Sequence, residues 1–216
     1  MYFIMGYRMM LRGFFIMLSL WLCALCAAPA GAESLEEAVA GCQPTAEFVP
    51  HSYPGMIIMG STNNLRRGVG SAFLAQGKPI FIKGKVLDAD CLPVTGAKVE
   101  MWQANASGVY LKMLNEEEDF SGSGRSYTNN LGEYSFITIM PGKPKEGGGA
   151  PHVNFTVNAG GKLSKFSTRM YFPDDPANAG DDDLQDAMKE YHPVGVKMAR
   201  PGKDDIYIYN IQLPGK

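Results

Sequence analysis

Residues 80–86 read Ile-Phe-Ile-Lys-Gly-Lys-Val, and the alternation in this stretch decides the fold class. Ile80, Ile82, Gly84 and Val86 fall on one side of a two-residue period, with Phe81, Lys83 and Lys85 on the other. Successive side chains of a strand point to opposite faces, so the pattern predicts a strand with one buried face. Working outward, Asp88 to Thr95 is a polar turn and residues 97–103, AKVEMWQ, form the next strand. Further strands are expected near 125–128, 133–140, 151–158, 165–172 and 205–213. Asn129-Asn130-Leu131-Gly132 supplies a tight connection between two of them. Many short strands, glycine-rich turns and little helical periodicity predict an all-β, two-sheet sandwich.

Two helices are expected beside the strands. Ser34-Leu-Glu-Glu37 has the spacing of a capping box, which predicts a short N-terminal helix ending at Gly41. Residues 181–191, DDDLQDAMKEY, open with acidic residues that favour a helix N-terminus, and predict one surface helix.

The first residues predict export. Arg8 and Arg12 precede the apolar run FFIMLSLWLCALCAA over 14–28, and Ala30-Gly31-Ala32 offers a small-residue cleavage site. A basic start, a short apolar stretch and a small-residue end make a signal peptide over 1–32, cut after Ala32 or Ala30. The run is shorter than the ~20 apolar residues a comfortable bilayer span needs. Removing 32 of 216 residues leaves 184, read as an N-terminal extension over 33–62 and one sandwich domain over 63–216. The expected location is the periplasm or the cell exterior, with no membrane attachment after cleavage.

Charge narrows the partners. All 22 acidic residues lie beyond the leader but only 18 of the 20 basic ones do, so the mature net charge is 18 − 22 = −4. With no basic cluster, nucleic acid and anionic membrane surfaces are poor partners. Cysteine usage fits export. Cys23 and Cys26 leave with the leader, and Cys42 and Cys91 remain as a pair. In an oxidising compartment they read as a disulfide, and two buried thiols are the alternative.

A longer pattern is more specific. Residues 84–105 read GKVLDADCLPVTGAKVEMWQAN, followed by Gly108-Val109-Tyr110. FSGSGRSYTNNLGEYSFITIMPG follows over 120–142, then Pro151-His152-Val153-Asn154-Phe155 and TRMYFPDD over 168–175. In order and spacing this resembles the intradiol ring-cleavage dioxygenases of the protocatechuate and catechol type, from about residue 63 onward. The resemblance implies a β-sandwich and a non-haem Fe(III) centre held by two tyrosinates and two histidines, which binds a catechol for attack by O₂. Ferric iron is hard, so anionic phenolate oxygens suit it and imidazoles complete the shell.

Carried over residue by residue, the family pattern finds half of its ligands. Tyr110 matches the first tyrosine and His152 the first histidine. After Pro141-Gly142 the chain reads Lys143-Pro144-Lys145-Glu146-Gly147, without a tyrosine, and Asn154 stands where the second histidine belongs. The family's arginine three residues before the first histidine falls on Gly149, and its glutamine before the M-Y-F element falls on Arg169. The candidate cleft is therefore Tyr110, His152, Asn154 and Arg169, with Tyr110 and His152 as the metal candidates. Tyr127, Tyr134, His51 and His192 are the other side chains that could supply donors.

Each survivor also has a plainer reading. Tyr110 could be a half-buried aromatic with a bonded hydroxyl, His152 a satisfied core histidine and Trp102 core packing. If Arg169 faces the former metal cavity, its charge substitutes for the lost cation. Three functions follow: a binding or scaffold protein with a small aromatic ligand or a protein partner; an active dioxygenase with an altered shell; or a structural subunit assembled with a related chain. Fold alone does not choose among them.

Overall fold

The computed structural model describes Cys42 and residues 44–48, 62–68, 70–111, 119–160, 165–198 and 205–215. The expected leader over 1–32 and the capping-box helix over 34–41 lie outside these residues, as does His51. Among the described residues no helix is long and apolar enough to cross a membrane.

Among the described residues nine strands form two sheets. They are β1 (Pro79–Leu87), β2 (Lys98–Gln103), β3 (Ser123–Tyr127), β4 (Glu133–Ile139), β5 (His152–Asn158), β6 (Phe166–Tyr171), β7 (Val196–Met198), β8 (Asp205–Ile208) and β9 (Ile211–Gln212). One sheet runs β4-β1-β8-β7, with β9 also on β1, and the other runs β3-β2-β5-β6. The all-β sandwich expected from the alternation is the fold observed.

Period-2 patterning explains the layering. Ile80, Ile82 and Val86 of β1 and Phe136 of β4 face Val99, Met101, Val153, Phe155 and Met170 of the other sheet, all buried in one core. Phe155 is its aromatic centre, with ring centroids 5.9 Å from Tyr134, 6.2 Å from Phe136 and 5.8 Å from Tyr209. Burying such side chains contributes roughly 1.5–3 kcal/mol each. The alternate residues of β2, β5 and β6 point outward. In register, Trp102 lies opposite Asn154, Asn154 opposite Arg169, and His152 opposite Tyr171. This outer face carries the candidate site.

Two expectations need correction. The acidic segment gives helix α1 over only Asp182–Ala187, not 181–191. Asp181 is its cap, accepting from Leu184 N, and turns follow Met188. The single strand expected over 205–213 is two short ones, because Asn210 leaves the ladder and its Oδ1 accepts from Lys85 N instead. A short strand at Val196–Met198 and a tight 3-10 turn at Pro176–Gly180 carry no period long enough to read.

Cys42 and Cys91 are bonded, with Cα atoms 5.8 Å apart, as expected of an oxidised pair.

Candidate functional site

The loop after β2 presents Tyr110. Asn105 Oδ1 accepts from Ser107 N at 2.9 Å and Val109 N at 3.0 Å, an Asx turn that reverses the chain. Gly108 has φ +79° and lies against Lys143 O so closely that a Cβ would collide. Lys145 N and Gly142 N bond to Gly108 O and Asn105 O, which fastens segment 142–145 onto this loop. The W-Q-A-N…G-x-Y pattern is thus a loop architecture that delivers one phenol to the sheet face.

On β5, His152 and Asn154 point to the same side as Tyr110. His152 Nδ1 lies 2.8 Å from Ala150 O, and a carbonyl only accepts, so Nδ1 carries the proton. Nε2 is then a bare lone pair, and it lies 2.8 Å from Tyr110 Oη, which donates to it. Asn154 Nδ2 donates to the same phenol oxygen at 3.2 Å, and Asn154 Oδ1 accepts from Arg169 Nε at 3.2 Å. Arg169 Nη1 donates to Tyr171 Oη at 3.1 Å, and Tyr171 Oη donates to Asp181 Oδ1 at 3.4 Å. Each of these bonds pairs a donor with an acceptor, linking the side chains in series from His152 to Asp181.

Burial keeps the chain neutral at its centre. It pushes the His152 pKa down to about 4, with Arg169 adding to the effect, while the Ala150 bond and Asp181 oppose it. Burial raises the Tyr110 pKa above the ordinary phenol value, against the smaller lowering influences of Asn154 and Arg169. Burial likewise pushes Tyr171 up to about 12.

The supporting roles of Asp181 and Gly149 were not foreseen. Asp181 is buried, and its Oδ2 accepts from Ala150 N at 2.7 Å while Oδ1 caps α1 through Leu184 N at 2.9 Å. It thereby holds Ala150, the residue whose carbonyl orients His152. Gly149 has φ +84°, and a Cβ there would sit 2.6 Å from Asp181 Oδ2, so the residue aligned with the family's arginine has become the seat of a carboxylate. Tyr171, Ala150 and Leu184 form a small apolar cluster beneath, against which Phe48 packs. The acidic helix start at 181–183 was legible, but the reach of Asp181 to Ala150 was not.

The cleft has a volume of about 420 Å³ and is lined by Trp102, Tyr110, His152, Asn154, Arg169 and the 146–149 and 180–183 loops. Trp102 is both core and wall, 3% exposed yet facing this space. Of the other candidate donors, Tyr134 is buried and donates to Tyr209 O, and Tyr127 is exposed at a separate hollow. Among the described residues no group of three or more His, Cys, Asp or Glu side chains converges on a metal position.

A sequence profile of the Dioxygenase family matches residues 63–215. The chain belongs to the intradiol ring-cleavage dioxygenase family. It is 36% identical over 115 residues to the beta chain of protocatechuate 3,4-dioxygenase from Burkholderia cepacia, covering 49% of each. Over 148 residues it is 30% identical to the alpha chain from the same organism, covering 65% of this chain and 75% of that one. A provisionally named dioxygenase of Rickettsia conorii is 44% identical over 93 residues, 38% of this chain and 45% of that protein. The chain spans about half the length of the first such relatives it matches. The fold is that of the dioxygenase domain of a dioxygenase–carbohydrate-binding fusion from Streptomyces sp. SirexAA-E, at 23% identity and a TM-score of 0.61, covering 79% of this chain and 98% of that one. An intradiol ring-cleavage dioxygenase from Tetranychus urticae gives 17% identity and 0.58, covering 79% and 94%.

The family is typically Fe(III)-dependent, so the donor set must be tested against that ion. Among the described residues this cleft offers one phenol, one imidazole and one amide, bonded to each other, with a guanidinium on the amide. Only one of these donors becomes anionic, and Arg169 adds positive charge where a trivalent cation would already concentrate it. The set does not fit the family's four-ligand ferric centre.

Proposed function

We propose that this chain is an exported intradiol-family protein that binds or scaffolds rather than cleaving aromatic rings. The observation that carries the reading is the closed polar chain from Ala150 through His152, Tyr110 and Asn154 to Arg169, which satisfies the residues that elsewhere serve a metal. A buried network with each member satisfied is rigid and needs no ion to neutralise it. The cleft above it has an aromatic wall at Trp102 and a phenol at Tyr110, which suits a small aromatic ligand. Export rests on the basic-apolar-small leader over 1–32 and agrees with the Cys42–Cys91 bond.

Ferric loading tests it. Purified protein exposed to ferric salt should stay colourless and consume no oxygen with catechol or protocatechuate. A red-brown protein that takes up oxygen with either diol would replace this reading with that of an active enzyme. One observation favours that alternative: the 2.8 Å between Tyr110 Oη and His152 Nε2 also suits two adjacent ligands of a single ion. Assembly with a related subunit is a further reading, because the relatives include alpha and beta chains of one enzyme. Co-purification of a second family member would support it. For export, the mature N-terminus in the extracytoplasmic fraction should be Glu33 or Gly31; an intact leader on cytoplasmic protein would contradict it.

A further inference from the structure

Cys42 and residues 44–48 are fastened to both sheets, with Phe48 over the cleft's cation. Cys42 is bonded to Cys91 in the turn between β1 and β2. Thr45 Oγ1 accepts from Gln212 N of β9 at 2.8 Å. Ala46 O accepts from Thr168 Oγ1 at 2.7 Å, and Phe48 N donates to Ser167 O at 3.0 Å, so the segment lies along β6, the edge of its sheet. Phe48 then sets its ring 5.1 Å from the Arg169 guanidinium carbon and 6.2 Å from the Tyr171 centroid, edge to face. The same guanidinium donates to Asn154 and Tyr171 and lies 3.6 Å from Asp183.

We propose that this segment is a disulfide-tethered strap that positions Arg169 through Phe48, so that the thiol state of Cys42 and Cys91 controls the order of the cleft's polar chain. The face of an aromatic ring attracts a cation, and the attraction grows where water is excluded. Phe48 thus covers one side of a guanidinium whose edge must stay aligned with Asn154 Oδ1. Beyond the disulfide, the described polar anchors are three hydrogen bonds, each of which contributes little once water competes, and the apolar ones are the buried Ala46 and the Phe48 ring on the Tyr171 cluster. The disulfide removes the strap's freedom to leave. A dithiol reductant delivers two electrons and two protons, the Cys42–Cys91 bond breaks to two thiols, and the reductant closes to its own disulfide. Cys91 is an exposed residue and Cys42 a buried one, so a reductant approaches the bond from the Cys91 side.

The test reads Arg169 directly, in the whole mature protein, by proton–nitrogen spectra of arginine Nε–H groups. Its signal is assigned by its loss in Arg169→Lys. In the oxidised protein this proton should exchange slowly with water. Reduction by dithiothreitol, with both thiols confirmed by labelling, should speed that exchange at least tenfold while the amides of Ile82 and Phe136 stay protected. Oxidised Phe48→Leu should reproduce the change, and Phe48→Tyr, which keeps a ring, should not. An Arg169 signal indifferent to reduction, or to Phe48→Leu, overturns the proposal. So does loss of protection across the sandwich on reduction, since the disulfide would then hold the whole fold rather than a strap. The readout needs no metal and no ligand, so it stands or falls apart from the proposed function.

Discussion

Tyr110 Oη donates its proton to His152 Nε2 across 2.8 Å, and the direction of that bond is set by Ala150 O, which takes the proton on Nδ1. A residue pair that serves as metal ligands in the family here completes a hydrogen bond. Removing the hydroxyl in Tyr110→Phe strands Nε2 and one Asn154 N–H in a site that is mostly closed to water. The cost should be about 1–3 kcal/mol, read as a lower urea midpoint with an unchanged slope. A neutral or stabilising result would mean the bond is not formed in solution.

His152 makes stability depend on pH. Its pKa is lowered to about 4 in the folded chain against 6.5 when unfolded. The unfolded state therefore binds its proton first as pH falls. Stability is full above pH 6.5 and is lost as pH drops toward 4, by about 3 kcal/mol in all. Urea unfolding of wild type and His152→Asn across this window checks it: the variant should lack that part of the decline.

Arg169 lowers both the His152 and the Tyr110 pKa. Arg169→Gln should raise both, because a cation beside either group favours the form with less positive charge. Carbon-detected titration of the His152 ring should give a higher value than wild type. An unmoved midpoint would place the guanidinium away from the ring in solution.

Asp181 and Gly149 form a lock beneath the site. Gly149→Ala forces a Cβ onto Asp181 Oδ2 at φ +84°, and should destabilise the protein by about 1–3 kcal/mol. Asp181→Ala removes the α1 cap and the partner of Ala150 N, at a similar cost. Because both act on one contact, the double variant should cost less than the two single effects added, and full additivity in urea melts would argue against the lock.

The sandwich was legible because strands announce themselves locally. Ile80-Phe-Ile-Lys-Gly-Lys-Val and Ile206-Tyr-Ile-Tyr carry the two-residue period in neighbouring side chains, and no distant contact is needed to read it. Tyr110 and His152 were legible for a different reason: their motifs pin each to a known place in a recognised family. Asp181 was visible only as part of an acidic helix start, and nothing local tells that one of its oxygens reaches a peptide 31 residues earlier. Phe48 carried no signal at all, since its seat on Arg169 is made by a strap arriving from another part of the chain.

The amino-acid order by itself determined the alternation that builds two sheets, the leader pattern and the presence of just two cysteines beyond it, and it placed Asn154 where the family resemblance calls for a histidine. Tertiary structure alone decided what the remaining residues do with each other: that Tyr110 bonds His152, that Asn154 turns its oxygen to Arg169, and that Phe48 covers that cation. The physical reason is range. Strand periodicity is a property of adjacent residues, whereas a hydrogen-bonded chain through a cleft exists only once strands far apart in sequence lie about 5 Å from one another.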